Sequence, residues 1–170
     1  MTLVVFLNGS PRRHGNTAAL LDEVQRAAEA SGAKVLRFDL AFLSISPCKA
    51  CEDCFADGEC VIRDDMDALY EALEKADAVI MASPIYFSGM SSYAKIAVDR
   101  CQALWARRRL LGRARKPGAG AIILTAGQPD ARFDNAISEL RAFLIGTGFT
   151  PGEVLKVAGA DRPSFSADRP

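Results

Sequence analysis

The sequence lacks any run of apolar residues long enough to cross a membrane or to form the core of a secretory signal. The apolar stretch near the amino terminus covers only residues 3–7, and no basic segment precedes it. A membrane-spanning helix needs about 20 apolar residues, and a secretory signal begins with a basic region. We therefore expect a cytoplasmic protein without a membrane partner, whose cysteines are reduced unless they bind a metal.

An excess of charge of either sign is also missing. The 170 residues include 21 Lys and Arg against 21 Asp and Glu, so the formal net charge is zero. This balance provides no attraction to nucleic acid, and we expect no nucleic-acid partner. The one basic run, over residues 107–116, is predicted to be a solvated helix end and loop, because cations suit a helix carboxyl terminus.

The loops that most often hold nucleotides are absent as well. No Gly-Lys-Ser or Gly-Lys-Thr opens a helix, which excludes a P-loop nucleoside triphosphatase. No G-x-G-x-x-G follows a strand, which excludes a dinucleotide-binding loop. The single histidine, His14, is expected to be exposed or next to a phosphate rather than catalytic.

What is present is a regular alternation of strands and helices. Apolar runs predict the strands, and apolar residues spaced by three and four predict the helices between them. This alternation is typical of one α/β domain with a parallel sheet. We assign residues 1–158 to the domain, with a cysteine loop over 41–63 after the second strand and an irregular tail over 159–170. The predicted strands cover residues 3–7, 34–40, 78–82, 119–124 and 154–158, with helices over 17–31 and 91–107 and around 66–73 and 133–144.

The most informative segment is residues 8–17, Asn-Gly-Ser-Pro-Arg-Arg-His-Gly-Asn-Thr, between the first strand and the first helix. A helix amino terminus presents unpaired N–H groups and the positive end of its dipole to an anion. Ser10, Arg12, Asn16 and Thr17 add hydroxyl, guanidinium and amide donors. These donors predict a site for a terminal phosphate group. The alternative is a glycine turn in which Asn16 or Thr17 only caps the helix.

The pattern Gly-Ser-Pro-Arg-x-x-Gly-Asn-Thr resembles the FMN phosphate loop of the NADPH-dependent FMN reductase and iron–sulfur flavoprotein group, within the flavodoxin-like superfamily. The resemblance continues at residues 83–90, at Asp99-Arg100 and at residues 125–127, and it covers residues 3–158. It implies a flavodoxin-like three-layer α/β sandwich with a five-stranded parallel sheet of order 2-1-3-4-5. It also implies FMN as cofactor and NAD(P)H as co-substrate.

The resemblance further implies which residues bind FMN. The three motifs follow the first, third and fourth predicted strands, so they meet at the carboxyl edge of the sheet, where such folds bind their ligands. Tyr86 and Phe87 have an alternative interpretation as buried aromatic residues, and Gly127 as a simple turn. The implied residues are Ser10, Arg12, Asn16 and Thr17 at the phosphate, Pro84, Ile85, Tyr86 and Phe87 along the isoalloxazine ring, and Thr125, Ala126 and Gly127 at its pyrimidine end.

Four of the five cysteines form the motif C-x2-C-x2-C-x5-C in the cysteine loop. The loop follows a strand at the carboxyl edge, so we expect its thiols on the flavin side of the molecule. The spacing resembles the compact motif of iron–sulfur flavoproteins, which implies a [4Fe–4S] cluster. Zinc and reduced thiols or disulfides without a metal remain as alternatives, and Cys101 is predicted to be a core residue. The implied cluster ligands are Cys48, Cys51, Cys54 and Cys60.

The carboxyl-terminal segment departs from the resemblance. Flavodoxin-like chains follow their fifth strand with a helix, whereas residues 159–170 contain Pro163 and Pro170 and show no helical period. The missing helix would leave part of the sheet uncovered. We therefore expect a second copy of the chain to cover it, in a homodimer or homotetramer.

The predicted function is that of an FMN-binding, NAD(P)H-dependent oxidoreductase with a small-molecule electron donor and acceptor. The flavin, not a catalytic side chain, carries the chemistry, and the cluster exchanges electrons with it. Two alternatives stay open: an electron carrier of the flavodoxin type, against which the balanced charge argues, and a thiol or metal sensor without turnover. The sequence shows no determinant of the acceptor or of the choice between NADH and NADPH.

Overall fold

The computed structural model describes residues 1–161, which form a parallel sheet between two layers of helices. The strand order is β2-β1-β3-β5-β6, and a short strand, β4, pairs with β3 in antiparallel orientation. This order confirms the predicted fold, because the hairpin strand β4 only shifts the numbering of the last two strands. The strands are β1 (Leu3–Asn8), β2 (Lys34–Asp39), β3 (Ala78–Tyr86), β4 (Gly89–Met90), β5 (Gly118–Thr125) and β6 (Phe149–Val157).

The helices fall where the apolar spacing predicts them, with two differences. The helix expected over residues 91–107 is divided at Cys101, and the cysteine loop contains one short helical turn. Residues 40–42 form a 3-10 helix. The α-helices are α1 (Asn16–Ala30), α2 (Cys54–Asp57), α3 (Met66–Lys75), α4 (Ser92–Arg100), α5 (Gln102–Arg109) and α6 (Asp134–Thr147).

The last strand begins at Phe149, five residues before the predicted start at Val154. Pro151 and Gly152 resemble a turn in the sequence, but they lie beside an irregular step of the ladder between β5 and β6. A proline is tolerated there because β6 is an edge strand. The strand therefore extends through two residues that usually mark its boundary.

The two faces of the sheet are covered unequally. A large cluster of buried side chains joins one face to α3, α4, α5 and α6. On the opposite face, a smaller cluster joins Val4, Phe6 and Ile123 to Leu21 of α1. Cys101 lies in the larger cluster and is 4% exposed, which confirms its prediction as a core residue.

After β6 the structure describes only residues 158–161, which form a bend and a turn, and the predicted absence of a carboxyl-terminal helix stays a prediction. Leu155 on β6 remains 44% exposed. The rest of the predicted irregular tail, residues 162–170, lies outside the described residues. Among residues 1–161, no helix is both long enough and apolar enough to cross a membrane.

Candidate functional site

The phosphate loop is fixed at its start by the buried side chain of Asn8, the last residue of β1. The Asn8 Oδ1 accepts a hydrogen bond from the Ser10 N–H at 3.0 Å, and its Nδ2 donates to Asp39 Oδ1 at 2.7 Å. Asp39 ends the neighbouring strand β2. The loop therefore leaves the sheet in a direction set by the ends of two strands.

Gly9 brings the loop against the beginning of α4. Its N–H donates to the Ala82 carbonyl of β3 at 2.8 Å, and its carbonyl accepts from Ser91 Oγ at 2.6 Å. A Cβ atom on Gly9 would lie 2.8 Å from the Cβ of Ala94, closer than two such atoms can approach. This position therefore requires glycine because of the close approach, without any need for a positive φ.

The amino terminus of α1 offers donors toward the carboxyl edge of the sheet. Its capping residue is Gly15, which has no side chain to accept a hydrogen bond from the first turn. The hydroxyl groups of Thr17 and Thr125 are buried and lie 2.6 Å apart, which joins α1 to the end of β5. Unpaired N–H groups and the helix dipole at this point suit an anion.

The predicted flavin-binding residues converge around one opening, which we call the phosphate-loop cleft. It lies at the carboxyl ends of β1, β3 and β5, as expected for this sheet order. Ten of the eleven predicted residues line it; Phe87 does not. The lining residues are Ser10, Arg12, Gly15, Asn16, Thr17, Pro84, Ile85, Tyr86, Thr125, Ala126, Gly127, Ala160 and Asp161.

Phe87 lies at the tip of the β3–β4 hairpin and does not line the cleft. Its side chain is fully exposed, and its φ of 48° and that of Ser88, 64°, place both residues in the left-handed region. Such turns join antiparallel strands closely but cost a side chain about 1 kcal/mol or more. Tyr86 is 47% exposed, so neither aromatic residue is the buried core residue of the alternative interpretation.

Three residues that line the phosphate-loop cleft were not predicted to bind flavin: Gly15, which lies within the predicted phosphate loop, and Ala160 and Asp161. The Asn16 Nδ2 donates to the Ala160 carbonyl at 2.6 Å and to Asp161 Oδ1 at 3.3 Å. A Cβ on Gly127 would lie 2.3 Å from Asp161 Oδ2, so Gly127 is more than a turn residue. No local signal identifies Ala160 and Asp161, because they reach the cleft only after the chain has completed the sheet.

The side chains of this cleft fit a phosphate-bearing flavin. Hydroxyl, guanidinium and helix N–H donors gather at the phosphate loop, where a phosphate group needs them. Residues 84–86 and 125–127 line the cleft from the ends of two adjacent strands, in which Pro84 pairs with Thr125. The carboxylate of Asp161 and the carbonyl of Ala160 add acceptors suited to hydroxyl groups.

The four cysteines of the loop line a second opening, which we call the cysteine cleft. Its volume is about 400 Å³. Cys48 and Cys51 are exposed, whereas Cys54 and Cys60 are half-buried, and all four are free thiols. Within residues 1–161, no three His, Cys, Asp or Glu side chains are grouped closely enough to hold a metal ion.

Arg100, the last residue of α4, joins the two ends of the cysteine loop. Its Nη1 donates to the Ser46 carbonyl at 2.9 Å and to Asp64 Oδ2 at 2.7 Å, while its Nη2 donates to the Ile62 carbonyl at 3.0 Å. The carboxylate of Asp64 also accepts from the Ser46 and Met66 N–H groups. Asp64 therefore accepts from the N–H of Met66, the first residue of α3, and holds the loop as well.

Two further arginines hold the middle of the loop, which corrects the prediction for the basic run. Arg107 Nε donates to the Gly58 carbonyl at 2.8 Å, and Arg113 Nη1 donates to the Asp57 carbonyl at 2.7 Å. The side chain of Arg107 is only 15% exposed, so it is not a solvated helix end. Gly58 has a φ of 82°, and a Cβ there would lie 2.4 Å from the Arg107 Cγ, so this position requires glycine.

The electrostatics of the loop follow from these contacts. Burial alone would raise the pKa of Asp64, but the hydrogen bonds from Arg100 and from backbone N–H groups lower it overall. Burial raises the pKa of the Cys54 thiol, and the nearby Cys60 raises it further. The Asp64 carboxylate is therefore held ionised, whereas the Cys54 thiol is harder to ionise until a metal binds its sulfur.

The thiols fit a cluster in kind and number, since four of them line one cleft. The two clefts have no lining residue in common, and the expected position of the thiols on the flavin side stays a prediction. The loop folds over the helical layer, where α2 packs on α5. Phe55 of α2 and Trp105 of α5 make an aromatic contact there, with ring centroids 6.1 Å apart.

Sequence comparison with known proteins identifies the family of the chain. The sequence model of the NADPH-dependent FMN reductase family matches residues 1–154. An iron–sulfur flavoprotein of Archaeoglobus fulgidus is 36% identical over 159 residues, which are 88% of this chain and 70% of that protein. An iron–sulfur flavoprotein of Methanocaldococcus jannaschii is 31% identical over 142 residues, which are 84% of this chain and 71% of that protein.

Solved structures show the same fold. An FMN-dependent NADH-azoreductase from Bacillus anthracis superposes with a TM-score of 0.69 at 12% identity, covering 96% of this chain and 91% of that one. The family, the flavodoxin-like fold and the oxidoreductase class expected from the sequence are thereby confirmed. The match over residues 1–154 shows that the chain belongs to the NADPH-dependent FMN reductase family of oxidoreductases.

Proposed function

We propose that the chain is an iron–sulfur flavoprotein that oxidises NAD(P)H and exchanges electrons between FMN and a [4Fe–4S] cluster. The observation that carries this proposal is that four thiols with the spacing C-x2-C-x2-C-x5-C line a single cleft in a chain of an FMN-dependent family. Two relatives at 36% and 31% identity bear the name iron–sulfur flavoprotein. The proposed cluster ligands are Cys48, Cys51, Cys54 and Cys60.

The chemistry would reside in the two bound groups: FMN takes up an electron pair as hydride, and the cluster exchanges single electrons. The contribution of the chain is to bind and orient them. We assign the phosphate to Ser10, Arg12, Asn16 and Thr17, because their donors meet at the amino terminus of α1. Residues 84–86 and 125–127, at the ends of two adjacent strands, would contact the ring.

Phe87 is assigned a different role from the one that the sequence implies. Because its side chain is fully exposed at the hairpin tip, we do not assign it to the ring wall formed by Pro84, Ile85 and Tyr86. An exposed aromatic residue next to the opening can instead contact a substrate that approaches the flavin. The proposed acceptor is a small molecule.

The first experiment counts the metal. Anaerobically purified protein should contain about four iron atoms and four acid-labile sulfides for each FMN. Replacing Cys54 and Cys60 by Ala should remove both while FMN remains, because no residue lines both clefts. Cys101→Ala is the matched control, since this thiol is buried in the core and does not line the cysteine cleft, and it should retain the iron.

The outcomes separate the alternatives. An absorbance spectrum with flavin bands alone would contradict the cluster, and zinc in place of iron would assign the thiols to a structural metal. Stopped-flow mixing with NADH and with NADPH then tests turnover. A reductase is bleached by one of them, whereas an electron carrier stays oxidised.

We also propose that a second copy of the chain covers the sparsely covered face of the sheet. On that face, α1 is the one helix of the described residues that contributes to the buried cluster, and Leu155 of the edge strand is 44% exposed. Apolar surface of this kind is often buried between subunits. Light scattering should give a mass of two or four chains, and a monomer at micromolar concentration would contradict the proposal.

A further inference from the structure

The segment that follows β6 lines one part of the phosphate-loop cleft, and backbone hydrogen bonds fix it there. The Gly159 N–H donates to the Gln128 carbonyl at 3.1 Å. The Ala160 N–H donates to the Ala126 carbonyl at 2.9 Å. Gly159 has a φ of 68°, in the left-handed region that glycine adopts without steric cost. The fold of this segment therefore sets the position of the next residue, Asp161.

Asp161 is the one acidic residue among the described residues that line this cleft. Its Oδ1 accepts a hydrogen bond from the Asn16 Nδ2 at 3.3 Å, and the same amide group donates to the Ala160 carbonyl at 2.6 Å. Its Oδ2 would lie 2.3 Å from a Cβ atom on Gly127, so a side chain at Gly127 would displace the carboxylate. The carboxylate thus faces the start of α1 on one side and the loop after β5 on the other.

This position identifies the part of the ligand that the carboxylate meets. FMN joins a phosphate group to a flavin ring through a ribityl chain that carries hydroxyl groups. In the proposed arrangement the phosphate lies at the start of α1 and the ring contacts residues 125–127, so the ribityl chain runs between them. Asp161 contacts Asn16 at the first place and Gly127 at the second. Its carboxylate therefore faces the ribityl chain.

The chemistry of the carboxylate agrees with this position. An ionised carboxylate only accepts hydrogen bonds, and a hydroxyl group donates one. Hydrogen bonds to a charged acceptor are about twice as strong as those between neutral groups. The phosphate is an unsuitable partner for Asp161, because both groups carry negative charge and like charges close together repel.

We propose that Asp161 binds the ribityl chain of FMN, with its carboxylate accepting hydrogen bonds from ribityl hydroxyl groups. Asn16 is a positioning residue for this contact, because its amide group holds both Asp161 and the carbonyl before it. The proposal rests on the proposed function only in placing FMN in the phosphate-loop cleft, and it makes no use of the cysteines.

A double-mutant cycle between the protein and the ligand tests the contact. The full chain is titrated by fluorescence with FMN and with FMN analogues in which one ribityl hydroxyl is replaced by hydrogen. Asp161→Ala should bind FMN about tenfold more weakly than the wild type, the effect of one hydrogen bond to a charged group. With the analogue that lacks the contacted hydroxyl, the wild type and the variant should bind alike, within about twofold.

Two further variants separate the contact from charge and from shape. Asp161→Asn keeps the size of the side chain and one oxygen acceptor but loses the charge, so its loss of FMN affinity should be smaller, about threefold. Asp130→Ala is the matched control, because it removes one negative charge from an exposed residue of the loop after β5 that does not line the cleft. It should bind FMN as the wild type does.

The possible results are distinguishable. Unchanged or tighter FMN binding by Asp161→Ala would overturn the proposal, and tighter binding would show that the carboxylate opposes the phosphate. A loss that persists with every analogue would also overturn it, because the shape of the cleft would then be responsible. A wild-type chain that binds no FMN would overturn both this proposal and the proposed function. A chain that binds FMN but takes up no iron would contradict the proposed function alone.

Discussion

The two clefts of this protein are built in opposite ways. The phosphate-loop cleft is made by the ends of strands and the start of a helix, and its contacts join one regular element to another, as Thr17 does with Thr125. The cysteine cleft is made by a loop, and Arg100, Arg107 and Arg113 hold that loop by its backbone carbonyls. The first site is therefore part of the fold, whereas the second is attached to the outside of its helical layer.

Both sites share one feature, which is a left-handed backbone at residues other than glycine. Among residues 1–161 these are Ala50 and Glu52 in the cysteine loop, and Phe87 and Ser88 at the hairpin beside the phosphate-loop cleft. Each costs about 1 kcal/mol or more. Such conformations persist where the surrounding structure fixes them, and they are frequent at functional sites. The two clefts therefore do not differ in backbone strain. They differ in what holds their residues in place, which is regular secondary structure in one and arginine side chains in the other.

The largest loss of stability is expected from Asp64→Ala. This variant tests whether the cysteine loop can be disordered while the phosphate-loop cleft still binds FMN. The substitution leaves the buried guanidinium of Arg100 without its charge partner, which costs about 3–5 kcal/mol of unfolding free energy. Urea unfolding measures this loss. Asp67→Ala is the control, because its ion pair with Arg63 is exposed and is worth about 1 kcal/mol or less. If the folded variant lost FMN as well as loop order, the separation of the two clefts would be wrong.

The next effect is expected from Thr17→Val in the phosphate-loop cleft. It leaves the buried Thr125 hydroxyl without its partner at 2.6 Å, at a cost of about 1–3 kcal/mol in stability. The FMN dissociation constant should rise about 10–100-fold, because a donor to the charged phosphate is also lost.

The double variant Thr17→Val, Thr125→Val separates these two causes. With both hydroxyl groups removed, no buried donor or acceptor is left unpaired, and most of the stability should return. FMN binding should stay weak, as measured by fluorescence titration. Recovery of FMN affinity in the double variant would contradict a direct contact of Thr17 with the phosphate, and iron content should not change in either protein.

A smaller effect is expected from Arg12→Ala. Arg12 lines the phosphate-loop cleft but is exposed, so water screens its charge, and we expect FMN to bind about three- to tenfold more weakly. Arg13→Ala is the matched control, because its guanidinium stacks on the Phe42 ring at 3.7 Å and does not line the cleft. The two variants are compared at low and at high salt, and the difference between them should shrink as salt rises. An equal loss of FMN affinity in Arg12→Ala and Arg13→Ala would show that only the net charge of the protein matters.

The smallest effect concerns acid stability. The pKa of Asp64 is lowered from 3.8 by the hydrogen bonds from Arg100 and from backbone N–H groups, against the opposing effect of burial. The stability that ionised Asp64 contributes is therefore complete above that value and is lost as the pH falls through the lower, folded pKa. Asp64→Asn should unfold with a weaker dependence on pH below about pH 4, as measured by urea unfolding across a pH series. An unchanged dependence would show that other carboxylates account for acid unfolding.

The part of the site that the sequence predicts is the part whose residues are adjacent in the chain. The phosphate loop and the cysteine motif each lie within a short segment, so a local pattern and its resemblance to a family motif indicate them. Asp161 reaches Asn16 across 145 positions, and no local pattern indicates such a contact. Phe87 falls outside the lining of the cleft because β3 extends to Tyr86 and turns back at once into β4, which the sequence does not show.

The role of the arginines was not predictable for a different reason. Their acceptors at Ser46, Gly58 and Asp57 are backbone carbonyls. Every residue has a backbone carbonyl, so the residue types of the loop do not predict these hydrogen bonds. The fold itself was predictable because apolar spacing and strand–helix alternation are properties of whole segments. The early start of β6 was not predicted because Pro151 and Gly152 usually mark the end of a strand. An edge strand such as β6 tolerates them.

The exposure of Cys48 and Cys51 has a consequence for how such a protein is made in a cell. None of the arginine contacts that hold the loop uses a cysteine sulfur. In the function proposed above, a cluster would therefore be delivered to Cys48 and Cys51, the two exposed thiols of a loop that is already folded. Loss of that cluster would leave the lining of the phosphate-loop cleft in place, because the two clefts share no residue.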